Sequence, residues 1–406
     1  MSQDKLKVVW ICHFTNAEMQ SMLTLWKRGD EFASWIPNLL KGFEGRTDIE
    51  VHVIAPHDYL KRTTKLTVRN IRYYFIAYGI PLWHRHWPRF FTFDIYSDFI
   101  FFRREIRNII NEIHPDLIHL MGAENAHYSS SIFDFKKDYP ILITIQGFIS
   151  QFKGEFNLPS WFKNRIHVEE KILKTFKYFC GEQDSSTYIS TVNSHHVFFR
   201  LYYPVNEVLV SKTKDTGKKY DCIYFGTLSK LKGTEDFIRA IAEIKSTKSD
   251  VKACIVGGGD ANPFRELARD LKCENNIEFA GFAKSQKELF EYVKSSRIFL
   301  APPYYERLSS TIREAMFLKV PIVAYATGGI PYINEFDENI YLVETGDYKE
   351  MALKTLWLLQ DEQRRDRLAE KAYHYCINEF SLKVNSERII SAYHTILGGN
   401  IKQKTS

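Results

Sequence analysis

The sequence has few cysteines, glycines and prolines, and it has no long apolar run. Its six cysteines lie far apart without a C-x-x-C pair, which argues against a zinc site or a disulfide framework and fits buried thiols in a reducing compartment. With only 20 glycines and 13 prolines, the chain is neither collagen-like nor a linker. No stretch approaches the roughly 18 consecutive apolar residues of a membrane span, and the first residues lack an apolar signal core. We therefore expect a cytoplasmic protein.

The composition is that of a soluble globular protein with many aromatic side chains. Hydrophobic residues make up 45% and charged residues 26% of the 406 residues, a content that excludes a disordered chain. At about 100–200 residues per domain, this length predicts two domains. The net charge of +6 is too small to indicate nucleic-acid binding by itself. The aromatic share of 15% is high and unevenly distributed along the chain.

Short β-branched runs alternate with helical patterns from one end of the chain to the other. Many of these runs are almost entirely apolar, which is typical of parallel strands covered by helices on both faces. The alternation predicts βαβ units and therefore an α/β fold. The predicted strands are residues 8–11, 51–54, 117–120, 141–145, 188–192, 222–225, 253–256, 277–279, 298–300 and 322–325.

A domain boundary is expected near Tyr203 and Pro204, because a new strand begins at Cys222 beyond a polar stretch. We therefore predict an N-terminal domain over residues 1–203 and a C-terminal domain over residues 204–380. The remaining residues, 381–406, are predicted to form a helix that packs back on the N-terminal domain.

Two strand-to-helix junctions of the second half place glycines at the carboxyl edge of the predicted sheet, where open α/β sheets bind ligands. In the first junction, Gly226 and Thr227 are followed by Lys232 and a helix, which suits a phosphate cradle and equally an ordinary loop with solvated lysines. In the second, Gly257 opens a triple-glycine turn that could approach a ligand or simply turn the chain. This turn does not match G-x-G-x-x-G, so it does not support a dinucleotide site.

The third junction carries two glutamates and a run of hydroxyl side chains. A helix is expected to begin among Ser309, Ser310 and Thr311, where its free N–H groups and the hydroxyls suit an oxyanion such as a diphosphate. Glu306 lies in the loop, and Glu314 is placed in the first helical turn, where it can accept hydrogen bonds from two vicinal hydroxyls. Thr311 and Glu314 also fit a capping box, in which Glu314 only satisfies a backbone donor.

The order and spacing of these motifs resemble the donor site of the retaining glycosyltransferases of family 4, which have the GT-B fold. Seven residues separate Glu306 from Glu314, and a Gly-Gly-Ile-Pro sequence follows the next strand. The glycine motifs between 226 and 282 come in the order and at the spacing of that family. The resemblance is clear over about residues 221–343.

The resemblance implies two Rossmann-like domains facing across a cleft, with a nucleotide sugar on the C-terminal domain and the acceptor on the N-terminal one. Carried over by position, Glu314 would bind the ribose hydroxyls, Glu306 the hydroxyls of the donor sugar, and Lys232 the diphosphate. Backbone around Phe282 would contact the base. The implied donor-binding set is Gly226, Thr227, Lys232, Gly257, Phe282, Ser309, Ser310, Thr311 and Glu314. The implied catalytic residues are Lys232 and Glu306, and His13 joins them as a candidate from its place after the first strand.

Two places depart from the family pattern. Thr227 stands where the family usually has an arginine, so one of two diphosphate cations is missing unless Lys230 replaces it. The residues from Arg307 to Ser309 replace the usual glycine-rich stretch. The sequence contains no D-x-D that would hold a metal, and we expect neither a metal nor a cofactor. The resemblance also implies front-face attack without a protein nucleophile, with the leaving phosphate accepting the proton of the acceptor.

Loops after three strands of the first half point to one sheet edge and are expected to bind the acceptor. His13 follows the first strand, Glu124 and Asn125 follow the third, and Gln146 follows the fourth. For His13, a structural or surface role is the alternative. Gln146 stands where family members often have a histidine, and it can replace that residue only through hydrogen bonding.

The segment 61–107 is strongly basic and aromatic, with ten basic and three acidic residues. Such a segment can lie on an anionic membrane leaflet. Alternatively, its rings belong to the core and its arginines form a solvated rim. No nucleic-acid-binding motif accompanies it.

These observations lead to the hypothesis of a cytoplasmic glycosyltransferase, associated with the inner face of the cell membrane, that builds a cell-surface polysaccharide or glycolipid. The expected partners are a nucleotide sugar and a glycan or lipid-linked acceptor, and no nucleic acid. The alternatives are an epimerase or hydrolase of sugar nucleotides with the same fold, and a non-catalytic sugar-nucleotide binder that partners an active enzyme.

Overall fold

The computed structural model describes residues 5–14, 22–23, 35–57, 60, 62–77, 93–154 and 158–404. The chain divides into two compact units. Unit 1 consists of Met1–Tyr203 together with Asn385–Ser406, and unit 2 consists of Pro204–Val384. Each unit has a mostly parallel sheet and its own hydrophobic core, which confirms the predicted α/β class.

The sheet of unit 1 has eight strands in the order β3-β4-β2-β1-β5-β6-β7-β8. They are Leu6–Cys12 (β1), Ile49–His57 (β2), Thr64–Val68 (β3), Ile71–Ala77 (β4), Leu117–Met121 (β5), Ile141–Ile145 (β6), Tyr178–Gly181 (β7) and Val197–Arg200 (β8). All neighbouring pairs are parallel except β3 with β4. Val8 and Trp10 pack into one core, and Val9 and Ile11 pack into another. Both faces of the sheet are therefore covered, which is why its central strands are largely apolar.

The sheet of unit 2 has six parallel strands in the order β11-β10-β9-β12-β13-β14. They are Tyr220–Phe225 (β9), Ala253–Val256 (β10), Ile277–Gly281 (β11), Ser296–Ala301 (β12), Ile322–Tyr325 (β13) and Tyr341–Val343 (β14). From β9 the chain builds outward in one direction to β11, and from β12 it builds in the other direction to β14. The strand order therefore reverses between β9 and β12, and the loops that leave these two strands diverge around a crevice.

Helices occupy most of the connections between the strands, and the last three helices follow β14. The helices are Trp35–Leu40 (α1), Phe93–Tyr96 (α2), Ile100–Ile113 (α3), Ala126–Ser129 (α4), Ser160–Thr175 (α5), Gln183–Val192 (α6), Glu207–Lys212 (α7), Thr234–Thr247 (α8), Asn262–Asp270 (α9), Gln286–Lys294 (α10), Ser310–Phe317 (α11), Tyr348–Gln360 (α12), Glu362–Phe380 (α13) and Leu382–Lys404 (α14). No helix among the described residues is long and apolar enough to cross a bilayer.

One of the predicted strands is wrong. Residues 188–192 form the end of α6. Ile189 is fully buried, while Tyr188 and Val192 pack at the edge of the same core. Val192 lies four residues after Tyr188 and three after Ile189, so the run has helical rather than alternating burial, and a short β-branched run does not distinguish the two. The other nine predicted runs lie within strands.

The basic and aromatic segment 61–107 is partly core in this structure. Tyr73, Tyr74 and Phe75 lie in β4 and are buried. Several cations of the segment pair with carboxylates, as Arg72 does with Glu50 at 3.1 Å. The further pairs are Lys65 with Glu112, Arg69 with Glu44, Arg103 with Asp98 and Asp134, and Arg107 with Asp134. Residues 78–92, which include four of the predicted interfacial rings and two of the arginines, lie outside the described residues. Membrane attachment through this segment stays a prediction.

A buried polar network ties α14 to the sheet of unit 1. The Tyr393 hydroxyl accepts a hydrogen bond from Trp10 Nε1 at 2.9 Å and contacts His119 Nδ1 at 2.6 Å. His119 Nε2 lies 2.7 Å from Thr144 Oγ1, which is 3.0 Å from Cys180 Sγ. Burial lowers the pKa of His119 to about 3, so the imidazole is neutral and can donate from one ring nitrogen and accept at the other.

Candidate functional site

A cavity of about 300 Å³ lies in unit 2 at the carboxyl ends of β9 and β12, where the strand order reverses. Sheets of this kind bind ligands at such a point. The cavity is lined by Tyr224, Phe225, Gly226, Thr227, Lys232, Phe299, Ala301, Pro303, Glu306, Ser309, Ser310, Thr311 and Ile312. Seven of the residues predicted from the sequence are thus brought together: Gly226, Thr227, Lys232, Glu306, Ser309, Ser310 and Thr311.

The loop after β9 is held against the loop after β12 by close backbone approach. Gly233 has a φ of +75°, and a Cβ there would lie 1.7 Å from the Pro302 carbonyl oxygen. The Tyr304 backbone N–H donates to the Leu231 carbonyl at 2.9 Å. Only glycine permits this approach at position 233, so the sequence Lys232-Gly233 sets the lysine beside the second loop.

A buried carboxylate links the same two loops through side chains. Asp236 lies in the first turn of α8, and its Oδ2 accepts hydrogen bonds from the hydroxyls of Tyr304, at 2.6 Å, and Tyr325, at 2.8 Å. The Asp236 carboxylate raises the pKa of Tyr304 to about 12, because ionising the phenol would place two negative charges together. Sequence reasoning missed this cluster, although an acid beside Phe237 and Ile238 on an otherwise apolar helix face was a usable signal.

Lys232 and Glu306 form an ion pair inside the cavity. Lys232 Nζ lies 2.6 Å from Glu306 Oε2, and the two side chains are 37% and 20% exposed. The other carboxylate oxygen, Oε1, accepts from the Arg307 backbone N–H at 3.2 Å. A second glycine fixes this loop, because a Cβ at Gly328 would lie 1.6 Å from the Glu306 carbonyl oxygen. The Lys232 ammonium and the Glu306 carboxylate therefore both line the cavity, where they can contact a charged ligand.

The helix α11 begins at Ser310, with Ser309 as its N-cap. Ser309 makes no side-chain capping hydrogen bond, and its hydroxyl lies instead 2.7 Å from the Thr311 hydroxyl. The first-turn N–H groups thus lack a side-chain cap at the cavity, in the arrangement that suits an anion. The prediction that Glu314 lies in the first turn is wrong, because it is the fifth helical residue. The capping-box alternative also fails, because a box needs Thr311 as the N-cap.

Glu314 is half-buried one turn into α11, where its Oε1 accepts from Gln286 Nε2 at 3.2 Å. Burial raises the pKa of Glu314 to about 7, opposed by the hydrogen bond from Gln286 and by the charge of Arg313. Glu314 is not among the residues that line the cavity, and Gln286, on α10, was not predicted from the sequence.

The two remaining predicted donor residues are not among the residues that line the cavity. A Cβ at Gly257 would lie 1.7 Å from the Gly226 carbonyl oxygen, so this glycine is required for the packing of two loops. Phe282 follows β11 and is 81% exposed. Its ring edge lies over Gly258, where a Cβ would be 3.3 Å from Phe282 Cδ2.

The predicted acceptor residues lie at the carboxyl ends of β1, β5 and β6 in unit 1. His13 is half-buried and Gln146 is exposed. Glu124 and Asn125 are tied together, because Arg165 Nε donates to the Glu124 carbonyl at 2.6 Å and Asn125 Nδ2 donates to Glu124 Oε1 at 3.1 Å. Sequence reasoning did not identify Arg165.

Glu124 has a carboxylate oxygen, Oε2, that is buried without a hydrogen-bond partner. Burial raises the pKa of Glu124 to about 7, and the neighbouring Glu169 charge adds to the rise while Arg165 opposes it. A carboxyl group with this pKa can exchange a proton near neutral pH.

Comparison with known proteins gives a consistent match for unit 2. Residues 206–375 match the family model described as Glycosyl transferases group 1. The N-acetyl-alpha-D-glucosaminyl L-malate synthase of Bacillus anthracis is 30% identical over 175 residues, which are 43% of this chain and 44% of that protein. The capsular polysaccharide biosynthesis glycosyltransferase CapM of Staphylococcus aureus is 25% identical over 186 residues, 43% of this chain and 46% of CapM. The matched part spans less than half the length of these curated relatives.

Solved structures resemble the chain over nearly its whole length. The sucrose-phosphate synthase from Thermosynechococcus elongatus has a TM-score of 0.72 at 15% identity, covering 97% of this chain and 100% of that one. HepE from Anabaena, solved with UDP-glucose, has a TM-score of 0.64 at 16% identity, covering 95% of this chain and 99% of HepE. At such identities the likeness shows the fold, which is GT-B.

Proposed function

We propose that this chain, whose residues 206–375 match the family model of the glycosyl transferases group 1, is a retaining glycosyltransferase that uses a nucleotide-diphosphate sugar as donor. One observation carries the proposal. A cation, a carboxylate and an uncapped helix start converge in one cavity at the strand-order reversal of unit 2. Placement of the two domains across a cleft stays a prediction.

The diphosphate of the donor is proposed to lie between Lys232 and the start of α11. Its charges match the ammonium group and the first-turn N–H groups, and the Ser310 and Thr311 hydroxyls line the same space. The first-turn N–H groups are fixed before the ligand arrives, so they stabilise charge on the leaving phosphate without reorganising. Thr227, at the cavity wall, supplies no second cation.

The two glutamates are proposed to bind hydroxyl groups of the donor. Glu306 lies in the cavity and would accept from the transferred sugar. Glu314, one turn further along α11, would accept from the ribose, with Gln286 fixing its carboxylate. Phe282, exposed beside Gly258, lies next to the proposed position of the base. Bonds from hydroxyls to a carboxylate are worth about 1.5–3 kcal/mol each.

The proposed reaction breaks the bond between the sugar C1 and the diphosphate oxygen and forms a bond from C1 to an acceptor hydroxyl oxygen. Attack comes from the face that the diphosphate leaves, so the configuration at C1 is retained. The acceptor proton passes to the departing phosphate oxygen. Independence of a metal stays a prediction, which rests on Lys232 and the helix start supplying the positive charge.

The acceptor is proposed to be a glycan or lipid-linked sugar that approaches His13, Glu124, Asn125 and Gln146. The relative CapM is named for capsular polysaccharide biosynthesis, which supports an acceptor of this class. The residues that follow β1, β5 and β6 include these hydrogen-bonding side chains. Such groups suit hydroxyls of a sugar.

A panel of nucleotide sugars with added glycan acceptors tests the function. We expect one nucleotide sugar to raise the melting temperature and to release its nucleoside diphosphate only when an acceptor is present. Lys232→Met should lower the transfer rate by a factor on the order of 100, the size of a lost charge at a preorganised site. Lys230→Met is the matched control, since Lys230, on the same loop, is 84% exposed and pairs with Glu235 in the first turn of α8.

The outcomes separate the alternatives. Release of nucleotide without any acceptor would indicate a hydrolase, and binding without turnover across all acceptors would indicate a non-catalytic binder. Equal losses in the Lys232→Met and Lys230→Met variants would contradict the assigned role of Lys232.

A further inference from the structure

The ion pair between Lys232 and Glu306 occupies the groups that the donor needs. Nζ of Lys232 lies 2.6 Å from Glu306 Oε2, and Glu306 Oε1 already accepts from the Arg307 N–H. In the proposed function, Lys232 binds the diphosphate and Glu306 binds the sugar. Donor binding therefore breaks the ion pair and forms two new interactions, one with each side chain. The net free energy of binding depends on whether the ligand carries a sugar.

We propose that the Lys232–Glu306 pair is a specificity device that disfavours a nucleoside diphosphate without a sugar. This inference rests on the proposed function and assigns the pair a role in donor selection and product release. A nucleotide sugar replaces both partners, giving phosphate to Lys232 and hydroxyls to Glu306. A bare nucleoside diphosphate replaces only the partner of Lys232.

A ligand without a sugar is disfavoured because the Glu306 carboxylate loses its lysine partner and gains nothing in return. Its side chain is only 20% exposed, so it is shielded from much of the water that would otherwise solvate the charge. When a nucleoside diphosphate without a sugar binds Lys232, the Glu306 carboxylate still accepts the hydrogen bond from the Arg307 N–H but loses the lysine. It also gains a negatively charged neighbour, the diphosphate. Sugar hydroxyls replace the lost bond without adding charge.

The same exchange assists release of the product. After transfer, the sugar has left Glu306, and the bound nucleoside diphosphate stands between Lys232 and its carboxylate partner. Closing the ion pair again returns free energy as the product departs. Discrimination between donor and product thus comes from one pair of side chains, each positioned by a glycine-dependent loop contact.

The test compares affinities in the full chain by calorimetry. The probes are UDP, GDP and ADP, each with its glucose conjugate, and the pair with the tighter conjugate is used. Glu306→Gln keeps the shape of the side chain and removes the charge. We expect it to bind the bare nucleoside diphosphate about three- to fivefold more tightly, the range of a partly exposed ion pair. The same variant should bind the conjugate no more tightly than the parent does.

Two further variants isolate the pair. Glu235→Gln removes a carboxylate in the first turn of α8 that pairs with Lys230, so it measures the general effect of one negative charge. It should change both affinities equally. In a Lys232→Met background, the selective effect of Glu306→Gln should become smaller, because the part that comes from releasing Lys232 is gone.

The results distinguish failure of this inference from failure of the proposed function. If a glucose conjugate binds the parent but Glu306→Gln tightens both ligands equally, or neither, the selective role of the pair is wrong and the donor site stands. If no nucleotide or conjugate binds the correctly folded parent, the proposed function fails together with the inference.

Discussion

Glu124 and Glu314 show how burial changes the chemistry of a carboxyl group. Each lies near the end of a strand or the start of a helix, and burial raises the pKa of each to about 7. The sequence predicted both as ligand-binding groups from their positions. It could not predict their pKa values, because these depend on side chains distant in the chain, such as Arg165 and Gln286.

Replacing Glu124 by glutamine should change the pH dependence of stability. The folded state raises the pKa of Glu124 from 4.5 to about 7, so its contribution to stability is present below pH 4.5 and is lost as the pH rises through 7. The parent should therefore lose stability between pH 5 and pH 8. Glu124→Gln should reduce that loss, on the order of 1–3 kcal/mol.

Denaturant unfolding at several pH values measures this effect. Glu170→Gln is the control, since Glu170 forms a surface pair with Lys153 at 2.8 Å. Parallel pH profiles for the parent and Glu124→Gln would show that the Glu124 carboxyl titrates normally and is not desolvated.

Two loops of unit 2 carry the charged residues of the cavity, and the distance between these loops must stay fixed. The loop after β9 carries Lys232 and the loop after β12 carries Glu306. Backbone approach at Gly233 and the Asp236 cluster join them. A small displacement of a positioned group can lower a rate about 100-fold, so this spacing is a functional quantity.

Tyr304→Phe and Tyr325→Phe make a matched pair for this claim. Both hydroxyls donate to the same Asp236 oxygen, but Tyr304 lies on the loop of Glu306 and Tyr325 lies in β13. Tyr304→Phe should lower the turnover number on the order of tenfold. Tyr325→Phe should mainly lower the melting temperature, because a buried hydrogen bond is worth about 1 kcal/mol.

Transfer rates and melting temperatures of the two variants give the comparison. If the two rates fall in proportion to the two losses of stability, Tyr304 is a general stabilising residue and does not position the loop.

The whole chain consists of two α/β units, and residues 385–406, at its end, belong to the first unit. Tyr393, near the end of the chain, bonds Trp10 in β1 and His119 in β5. Since these partners are 383 and 274 residues away in sequence, α14 completes the core of unit 1.

Tyr393→Phe should destabilise unit 1 selectively. The change leaves the Trp10 N–H and the His119 ring nitrogen buried without this partner, at about 1–3 kcal/mol for each group. Amide hydrogen exchange should become faster in β1 and β5 and stay unchanged in β9 and β12. The exposed neighbour His394→Gln provides the control. Equal acceleration in both units would contradict the assignment of α14 to unit 1.

The sequence could predict the features that depend on neighbouring residues, but not those that depend on contacts between distant residues. Apolar strands such as 141–145 and the glycine motifs of unit 2 are local, and they predicted the α/β class and the loops of the cavity. The run 188–192 was wrongly predicted as a strand, because a short run of β-branched and aromatic residues fits a strand and a buried helix segment equally well. The Lys232–Glu306 contact spans 74 residues and the Tyr304–Asp236 contact spans 68, so neither was predictable from local pattern.

A crystal structure of the chain with its nucleotide sugar would test the central claim most directly. We predict the diphosphate between Lys232 and the start of α11, a sugar hydroxyl within about 3 Å of the Glu306 carboxylate, and the ribose at Glu314. A nucleotide sugar bound away from β9 and β12, with the Lys232–Glu306 pair still closed, would contradict the account.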